Sequence, residues 1–100
     1  MDSIGRNTAH GRFTPTHEAQ HSQWVVREEN GETAGYLTYE IYGNELMITS
    51  VQVRREFRGQ GVGGSLVRAA VEYERSLGEN KVVPVCSFAR DYLARHPEFA

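Results

Sequence analysis

The stretch REFRGQGVGGSLVRAAVEYERSLG, residues 55–78, places four glycines within six positions and then alternates apolar and charged residues. Glycine loses more conformational entropy on folding than any other residue, so such a cluster indicates unusual dihedral angles or a close approach to the main chain. After the glycines, Val62, Leu66, Ala70 and Tyr73 recur at helical spacing. The sequence therefore predicts a glycine-rich loop that leads into an amphipathic helix, which ends at Gly78.

Three runs of β-forming residues precede this loop. They cover residues 23–28, 33–42 and 45–53. Turn sequences separate them at Asn30-Gly31 and Gly43-Asn44, which predicts an antiparallel meander. After the helix, KVVPVC predicts a short buried strand, and SFARDYLARHPEF predicts a second helix that ends before Pro97. We therefore expect an α+β fold, with a mainly antiparallel sheet and two helices packed against it.

The composition is that of one small globular domain. The chain has 100 residues, 39% of them hydrophobic and 10% aromatic. We expect residues 1–20, which are mostly polar, to form a mobile arm, and residues 21–100 to form the folded domain. The single Cys86 excludes an internal disulfide, and no apolar run approaches the roughly 18 residues of a membrane span. These features favour a cytoplasmic protein.

The charge balance restricts the partners. Eleven Lys and Arg stand against thirteen Asp and Glu, which gives a formal net charge of -2. No overall basic field would attract nucleic acid or an anionic membrane, so neither is expected as a partner. The histidines His10, His17 and His21 lack metal-site spacing, and we expect no metal. The few strands and the small core are compatible with a monomer or a weak dimer.

A glycine loop between a strand and a helix is typical of phosphate binding, because the first amides of a helix lack partners and its dipole favours anions. Gly59, Gly61 and Gly64 match the G-x-G-x-x-G pattern of dinucleotide-binding folds. Those folds carry an acidic residue at the end of the next strand, which reads VVPVC here. A P-loop needs a lysine before its hydroxyl residue, whereas Gly64 precedes Ser65. Neither loop type fits.

A third type of phosphate-binding loop does fit. Arg58, Gly61 and Gly63 match R-x-x-G-x-G, and VQVRREFRGQGVGGSLV resembles the acetyl-coenzyme A signature of the GNAT superfamily of N-acetyltransferases. The carboxy-terminal KVVPVCSFARDYLARHPEF resembles a small branch of that superfamily with a V-P-x-C-S-F/Y run, a helix and a His-Pro pair. Together these resemblances cover about residues 23–99. They imply a minimal GNAT-like fold whose sheet splays open at the cofactor site, near Pro84.

The resemblance also implies an activity, which is transfer of acetyl from acetyl-coenzyme A to an amine on a small molecule, a peptide or a lysine side chain. Val51 and Val53 are expected to pair with the pantetheine arm. The pyrophosphate is expected to contact the loop and the start of the helix, namely Arg58, Gly59, Gln60, Gly61, Val62, Gly63, Gly64 and Ser65. The chain lacks the two helices that larger members insert between the first strands, which implies a more open acceptor site.

Cys86 and Tyr92 are the candidate catalytic residues. Cys86 directly precedes a helix, where amide donors favour the thiolate, and the resemblance places it near the acetyl thioester. Two mechanisms are open. In the first, the amine attacks the thioester directly and an amide near Val53 stabilises the oxyanion. In the second, the acetyl group is transferred through an acetylated Cys86. The resemblance also implies a role for Tyr92, which lies roughly where many GNAT enzymes place a tyrosine that protonates the leaving thiolate. Simple packing is the alternative for both side chains.

The sequence leaves open which residue would contact the 3′-phosphate and which would act as general base. The adenosine 3′-phosphate has several candidate partners, which are Arg90, Arg95, Arg54 and Arg55, although each is equally explained as a solvated surface charge. No general base stands out, since Glu40 and Glu45 resemble ordinary strand and turn carboxylates. A module that binds coenzyme A without turnover, as a sensor or adaptor, is therefore the alternative to an enzyme.

Overall fold

Five strands form a single sheet in chain order in the computed structural model, which describes residues 13–99. The strands are β1 (Thr16–Glu18), β2 (Gln23–Arg27), β3 (Thr33–Tyr42), β4 (Glu45–Val53) and β5 (Lys81–Pro84). Two α-helices complete the fold, α1 (Val62–Leu77) and α2 (Ser87–Arg95). Short 3₁₀ turns occupy Ala19–His21, Arg55–Phe57 and Pro97–Phe99. The predicted α+β architecture is confirmed.

The sheet is antiparallel from β1 to β4 and parallel between β4 and β5. Helix α1 makes the connection from β4 to β5, because a parallel neighbour can be reached only by a crossover. The turns predicted at Asn30-Gly31 and Gly43-Asn44 join β2 to β3 and β3 to β4, with Gly31 and Gly43 at positive φ. Gly78 ends α1 in a left-handed conformation, and its amide donates to Glu74 O. These local predictions are confirmed.

Strand β1 corrects the predicted boundary of the mobile arm. Thr16–Glu18 pairs with β2 instead of extending into solvent. The His17 ring stacks on Trp24 at a centroid distance of 4.4 Å, meets Tyr73 edge-on at 4.7 Å, and its Nε2 lies 2.8 Å from the Tyr39 hydroxyl. Phe13 packs against the core. The predicted arm is therefore wrong from Phe13 onward, and the rest of it, residues 1–12, lies outside the described residues.

The core lies between the sheet and the two helices. It is formed by alternate residues of the strands and by the apolar face of α1, with Leu37, Ile48 and Leu66 fully shielded from solvent. Ala89 and Tyr92 of α2 belong to the same cluster. Burial of these side chains is the main stabilising contribution, since each large aliphatic residue contributes about 1.5–3 kcal/mol. Both helices are thereby fixed against the region where β4 and β5 separate.

Candidate functional site

Strands β4 and β5 separate halfway along β4. Their pairing ends where Ile48 lies opposite Pro84. The next two amides, of Val85 and Cys86, both donate to Ile48 O, at 3.0 and 3.1 Å, and the chain then turns into α2. Strand β4 continues to Val53 with β3 on its other side. Within residues 13–99, the β5 side of this last part of β4 therefore faces no strand, which is the splayed geometry that the resemblance implied.

A β-bulge directs the backbone of β4 toward this opening. The register of β4 on β3 shifts between Thr38 and Tyr39, which leaves Thr49 as the extra residue. The carbonyl of Ile48 faces β5, whereas the amide of Arg54 donates to β3 at 2.9 Å. The backbone amides and carbonyls of successive residues point alternately to the two neighbouring strands. Those of even-numbered residues therefore point toward β5 before the bulge and toward β3 after it. Val51 and Val53 consequently turn their amides and carbonyls toward the open side.

A cleft of about 450 Å³ runs from this opening to the start of α1. Nine of the predicted site residues line it: Val51, Val53, Arg58, Gly59, Gly61, Val62, Gly63, Gly64 and Tyr92. Its other lining residues are Gln52, Phe57, Phe88 and Arg95. The structure therefore brings the strand, the glycine segment and the second helix together around one cavity, although they are separated by up to 44 positions in the sequence (Val51 to Arg95).

The first turn of α1 presents unpaired amides to the cleft. Its first helical hydrogen bond runs from Ser65 N to Gly61 O at 3.0 Å. The amides of Val62, Gly63 and Gly64 precede that bond and have no acceptor within the helix. No side chain caps this end of the helix, because Gly61 occupies the cap position with φ 92°. Oriented amides together with the positive end of the helix dipole form a suitable site for phosphate oxygens.

Glycine is required at these four positions for two different structural reasons. Gly59 and Gly61 have φ of +79° and +92°, and open space surrounds the position of a Cβ at each. Gly63 and Gly64 lie under α2, where a Cβ would come within 2.7 Å of Phe88 Cζ and 2.8 Å of Tyr92 Cε1. The first pair therefore shapes the loop beside the cleft. The second pair allows α2 to pack closely on α1, a role that the sequence pattern did not predict.

Gln60 and Ser65 do not line the cleft, although both were predicted to contact the cofactor. The Ser65 hydroxyl donates to Val62 O at 2.8 Å, and its side chain is buried. Since its amide is also engaged within α1, no Ser65 donor is left for a phosphate, and the predicted contact is not supported. The Gln60 side chain donates to Glu56 O at 3.1 Å on the protein surface. Both side chains stabilise the local backbone.

Cys86 lies at the end of β5 and caps α2, as its sequence position predicted. Its Sγ accepts a hydrogen bond from Ala89 N at 3.4 Å, and the half-buried side chain packs against the core. It does not line the cleft, but its amide bonds to Ile48 O at the point where the strands separate. The thiol is thus held next to the opening, and its catalytic role stays a prediction.

Tyr92 lies in the cleft wall. Its ring is 8% exposed, packs over Gly64, and contacts Phe88 and His96 at centroid distances of 6.2 and 4.2 Å. Within the described part of the chain its hydroxyl has no hydrogen-bond partner, and so it is available to a ligand. The Tyr92 ring therefore packs in the core, which was the alternative to a catalytic role. The residue also lines the predicted site.

Arg58 and Arg95 give the cleft its positive charge. Arg58 Nε donates to Val53 O at 3.4 Å, which leaves the other guanidinium nitrogens unused by this contact. Phe88, Tyr92 and Arg95 follow each other at spacings of four and three on α2, so they share one helical face. That spacing was visible in the sequence. The direction of the face depends on how α2 packs on Gly63 and Gly64, which local patterns do not reveal.

Two kinds of site were predicted to be absent, a metal centre and a membrane span. No group of three or more His, Cys, Asp or Glu side chains in residues 13–99 is placed to hold a metal ion. Among the described helices, none is long and apolar enough to cross a membrane. The cleft is accordingly interpreted from its backbone donors, its aromatic wall and its two arginines.

A splayed sheet beside a glycine-initiated helix defines the acyl-coenzyme A-binding class of folds that the sequence resembles. Residues 23–100 match the sequence model of the GCN5-related N-acetyl-transferase family. The protein therefore belongs to this family, and the predicted GNAT relationship is confirmed.

Individual relatives agree with this assignment. A Bacillus subtilis (strain 168) protein named as a candidate ribosomal protein bS18-alanine N-acetyltransferase is 36% identical over 55 residues, which are 55% of this chain and 36% of the relative. The chain thus spans about a third of the length of that curated relative. The solution structure of a GCN5-like candidate N-acetyltransferase from Staphylococcus aureus is 28% identical, with a TM-score of 0.65, over 92% of this chain and 86% of that one.

The fold is also shared with more distant structures. The Escherichia coli GNAT family N-acetyltransferase YhbS, crystallised in complex with CoA, has a TM-score of 0.60 at 19% identity, over 78% of this chain and 44% of that one. At this level of identity the likeness shows the fold alone.

Proposed function

We propose that this protein binds acetyl-coenzyme A in the cleft and transfers the acetyl group to an amine. One observation carries the proposal: the open edge of β4 at Val51 and Val53 and the unpaired amides of α1 line the same cleft. The first offers backbone hydrogen bonds to the amides of a pantetheine arm. The second suits a diphosphate. E. coli YhbS, which has the same fold, was crystallised in complex with CoA, and this supports coenzyme A as the ligand.

The residues of the cleft fit the successive parts of the cofactor. The backbone of Val51 and Val53 would hold the pantetheine in the place of a missing strand. The amides of residues 62–64 and the Arg58 guanidinium would hold the diphosphate. The thioester end would then lie toward Ile48 and Cys86, where the strands separate. Acetyl-coenzyme A supplies the activated acyl group, and the chain orients it.

We favour direct transfer over a covalent intermediate. The neutral amine nitrogen would form a bond to the thioester carbon as the carbon–sulfur bond breaks. The Tyr92 hydroxyl would give its proton to the leaving thiolate, and the proton released by the amine would restore the Tyr92 hydroxyl through water. A β4 amide on the open side, of Val51 or Val53, stabilises the oxyanion. Cys86 is poorly placed to act as a nucleophile, because its sulfur accepts from Ala89 N and does not line the cleft. We assign Cys86 to positioning, because its sulfur holds the first turn of α2 beside the opening.

The acceptor is an amine on a small molecule, a peptide or a lysine side chain. The name of the B. subtilis relative, which specifies a ribosomal protein alanine, supports a protein amine among these. A cytoplasmic location and a monomeric or weakly dimeric state are part of the same proposal.

Intact mass spectrometry of the protein with acetyl-coenzyme A, under native and then denaturing conditions, tests the proposal. We expect a cofactor adduct that is lost on denaturation, and acetylation of members of a panel of peptide and small amines. An acetyl group that survives denaturation and is absent from Cys86→Ala would establish the covalent route instead. An adduct without transfer to any amine would make the protein a coenzyme A sensor, and no adduct at all would contradict the proposal.

A further inference from the structure

Arg95 is a cation in the cleft wall that has no partner among the residues that the structure describes. It lines the cleft from the last turn of α2, one turn beyond Tyr92. Across residues 13–99 its guanidinium makes no ion pair and no hydrogen bond. A cation in the last turn of a helix gains some stabilisation from the helix dipole, but this effect does not require a position in the cleft.

The other arginines that were candidates for a phosphate are engaged elsewhere. Arg54 forms ion pairs with Glu32 at 3.4 Å and Glu56 at 2.8 Å. Arg90 donates to Val85 O at 2.8 Å. Neither lines the cleft, and Arg55 does not line it either. Arg58 and Arg95 are therefore the two arginines among the described residues that border the cavity.

The two arginines reach the cleft from different elements of the fold. Arg58 belongs to the glycine segment that precedes α1, so it shares the diphosphate with the amides of residues 62–64. Arg95 comes from the other wall, on the helix that packs against α1. Coenzyme A carries one more anionic group than the diphosphate, the phosphate on the 3′ oxygen of its ribose. A guanidinium binds such a phosphomonoester with two parallel hydrogen bonds.

We propose that Arg95 binds the 3′-phosphate of coenzyme A and makes the protein prefer coenzyme A to its 3′-dephospho form. The inference rests on the proposed function and concerns specificity, so Arg95 is a binding residue and takes no part in the chemistry. Removal of the Arg95 side chain should lower the affinity only for the ligand that carries the 3′-phosphate.

Calorimetric titration of the wild-type protein with coenzyme A and with 3′-dephospho-coenzyme A measures the preference. We expect wild type to bind coenzyme A about tenfold more tightly, the size of one solvent-accessible charge-assisted contact. Arg95→Gln should lose this preference while its affinity for the dephospho form stays at the wild-type value. Arg95→Lys, which keeps a cation, should retain part of the preference. Arg90→Gln is the matched control, because it removes the same charge from the same helix outside the cleft.

Four results would overturn the inference. Equal loss of affinity for both ligands in Arg95→Gln would place Arg95 on the diphosphate or the adenosine. Unchanged preference in Arg95→Gln, or an equal loss of preference in Arg90→Gln, would remove the specific role of Arg95. Failure of wild type to bind either ligand would contradict the proposed function itself, and the inference with it, and is distinguished by the wild-type titration alone.

Discussion

Gly63 and Gly64 are adjacent, but the aromatic rings that pack over them differ in solvent exposure. The ring over Gly64 belongs to Tyr92, which is 8% exposed, whereas the ring over Gly63 belongs to Phe88, which is 38% exposed. We expect Gly64→Ala to lower the free energy of unfolding by about 1–3 kcal/mol through overpacking. Gly63→Ala should cost less, because Phe88 yields and alanine gains up to about 1 kcal/mol in helix propensity. Urea denaturation measures both, and an equal or greater cost at Gly63 would refute this ordering.

The Cys86 sulfur has a structural role that must be separated from any catalytic one. Its removal in Cys86→Ala leaves Ala89 N without its acceptor, which should cost about 1 kcal/mol of stability as for other helix caps. Cys86→Ser supplies an oxygen acceptor and should restore most of that loss. We expect both variants to bind coenzyme A normally and to transfer acetyl more slowly, as measured by steady-state kinetics. Full activity in Cys86→Ser would leave Cys86 as a cap alone.

At the scale of elements, the glycine segment is the part of the cleft that can be blocked without disturbing the core. Gly61 has φ +92° and no atom within 4 Å of the position that a Cβ would take, and Gly31, in the turn between β2 and β3, has φ +90° and the same free space. Gly61→Trp should therefore abolish coenzyme A binding, because the indole would occupy the cleft. Gly31→Trp carries the same backbone strain away from the cleft and should bind normally.

Calorimetry together with thermal unfolding compares the two variants. Both should lose a similar, small amount of stability, since each places a bulky residue at positive φ. Unchanged affinity in Gly61→Trp would remove the loop from the binding site. Loss of affinity in Gly31→Trp as well would show that backbone strain, and not occupation of the cleft, weakens binding.

Elements with a strong local signal were predictable, and those that depend on distant contacts were not. Strands β2 to β5 and both helices follow from turn residues and periodicity. Strand β1 reads only Thr-His-Glu and is specified by His17 meeting Trp24 and Tyr73, 7 and 56 positions away. The bulge at Thr49 is equally invisible, because residues 45–53 read as one continuous strand.

In the candidate site, too, some residues were predictable from the sequence and others depend on tertiary contacts. Val51, Val53 and the glycine segment came from the resemblance to a known signature, and the structure places them along one cleft. The contribution of Arg95 was one of several open possibilities, since nothing in the sequence says which arginine faces a cavity. The predicted contact of Ser65 stays a prediction, and its hydroxyl bond to Val62 O could not be foreseen, because it depends on where α1 begins. Tertiary packing decides each of these points.

At the scale of the whole molecule, His17 makes stability depend on pH. Burial lowers the pKa of His17 below its usual 6.5, and the nearby Glu74 carboxylate offsets this only in part. The unfolded chain then binds more protons than the folded one as the pH falls below 6.5, so stability is fully present above that value and declines below it. Glu18 does not contribute in this window, because hydrogen bonds from Gln23 and Arg27 hold its pKa below 4.5.

Urea unfolding over a series from about pH 8 to pH 5 measures this effect. We expect the free energy of unfolding to fall on acidification in the wild type. His17→Phe keeps the stacking on Trp24 but cannot titrate, and its curve should be flatter over the same range. A decline of the same slope in His17→Phe would assign the pH dependence to other groups.

The central claim is that one cleft, between β4, the start of α1 and α2, holds coenzyme A. Two-dimensional ¹H–¹⁵N NMR of this 11.3 kDa chain, titrated with coenzyme A, tests it residue by residue. We expect the largest shifts at the amides of Val51, Val53 and residues 61–64, with little change around His17. No shifts at saturating ligand, or shifts confined to the second groove between α1 and β5 around Val71 and Lys81, would contradict it.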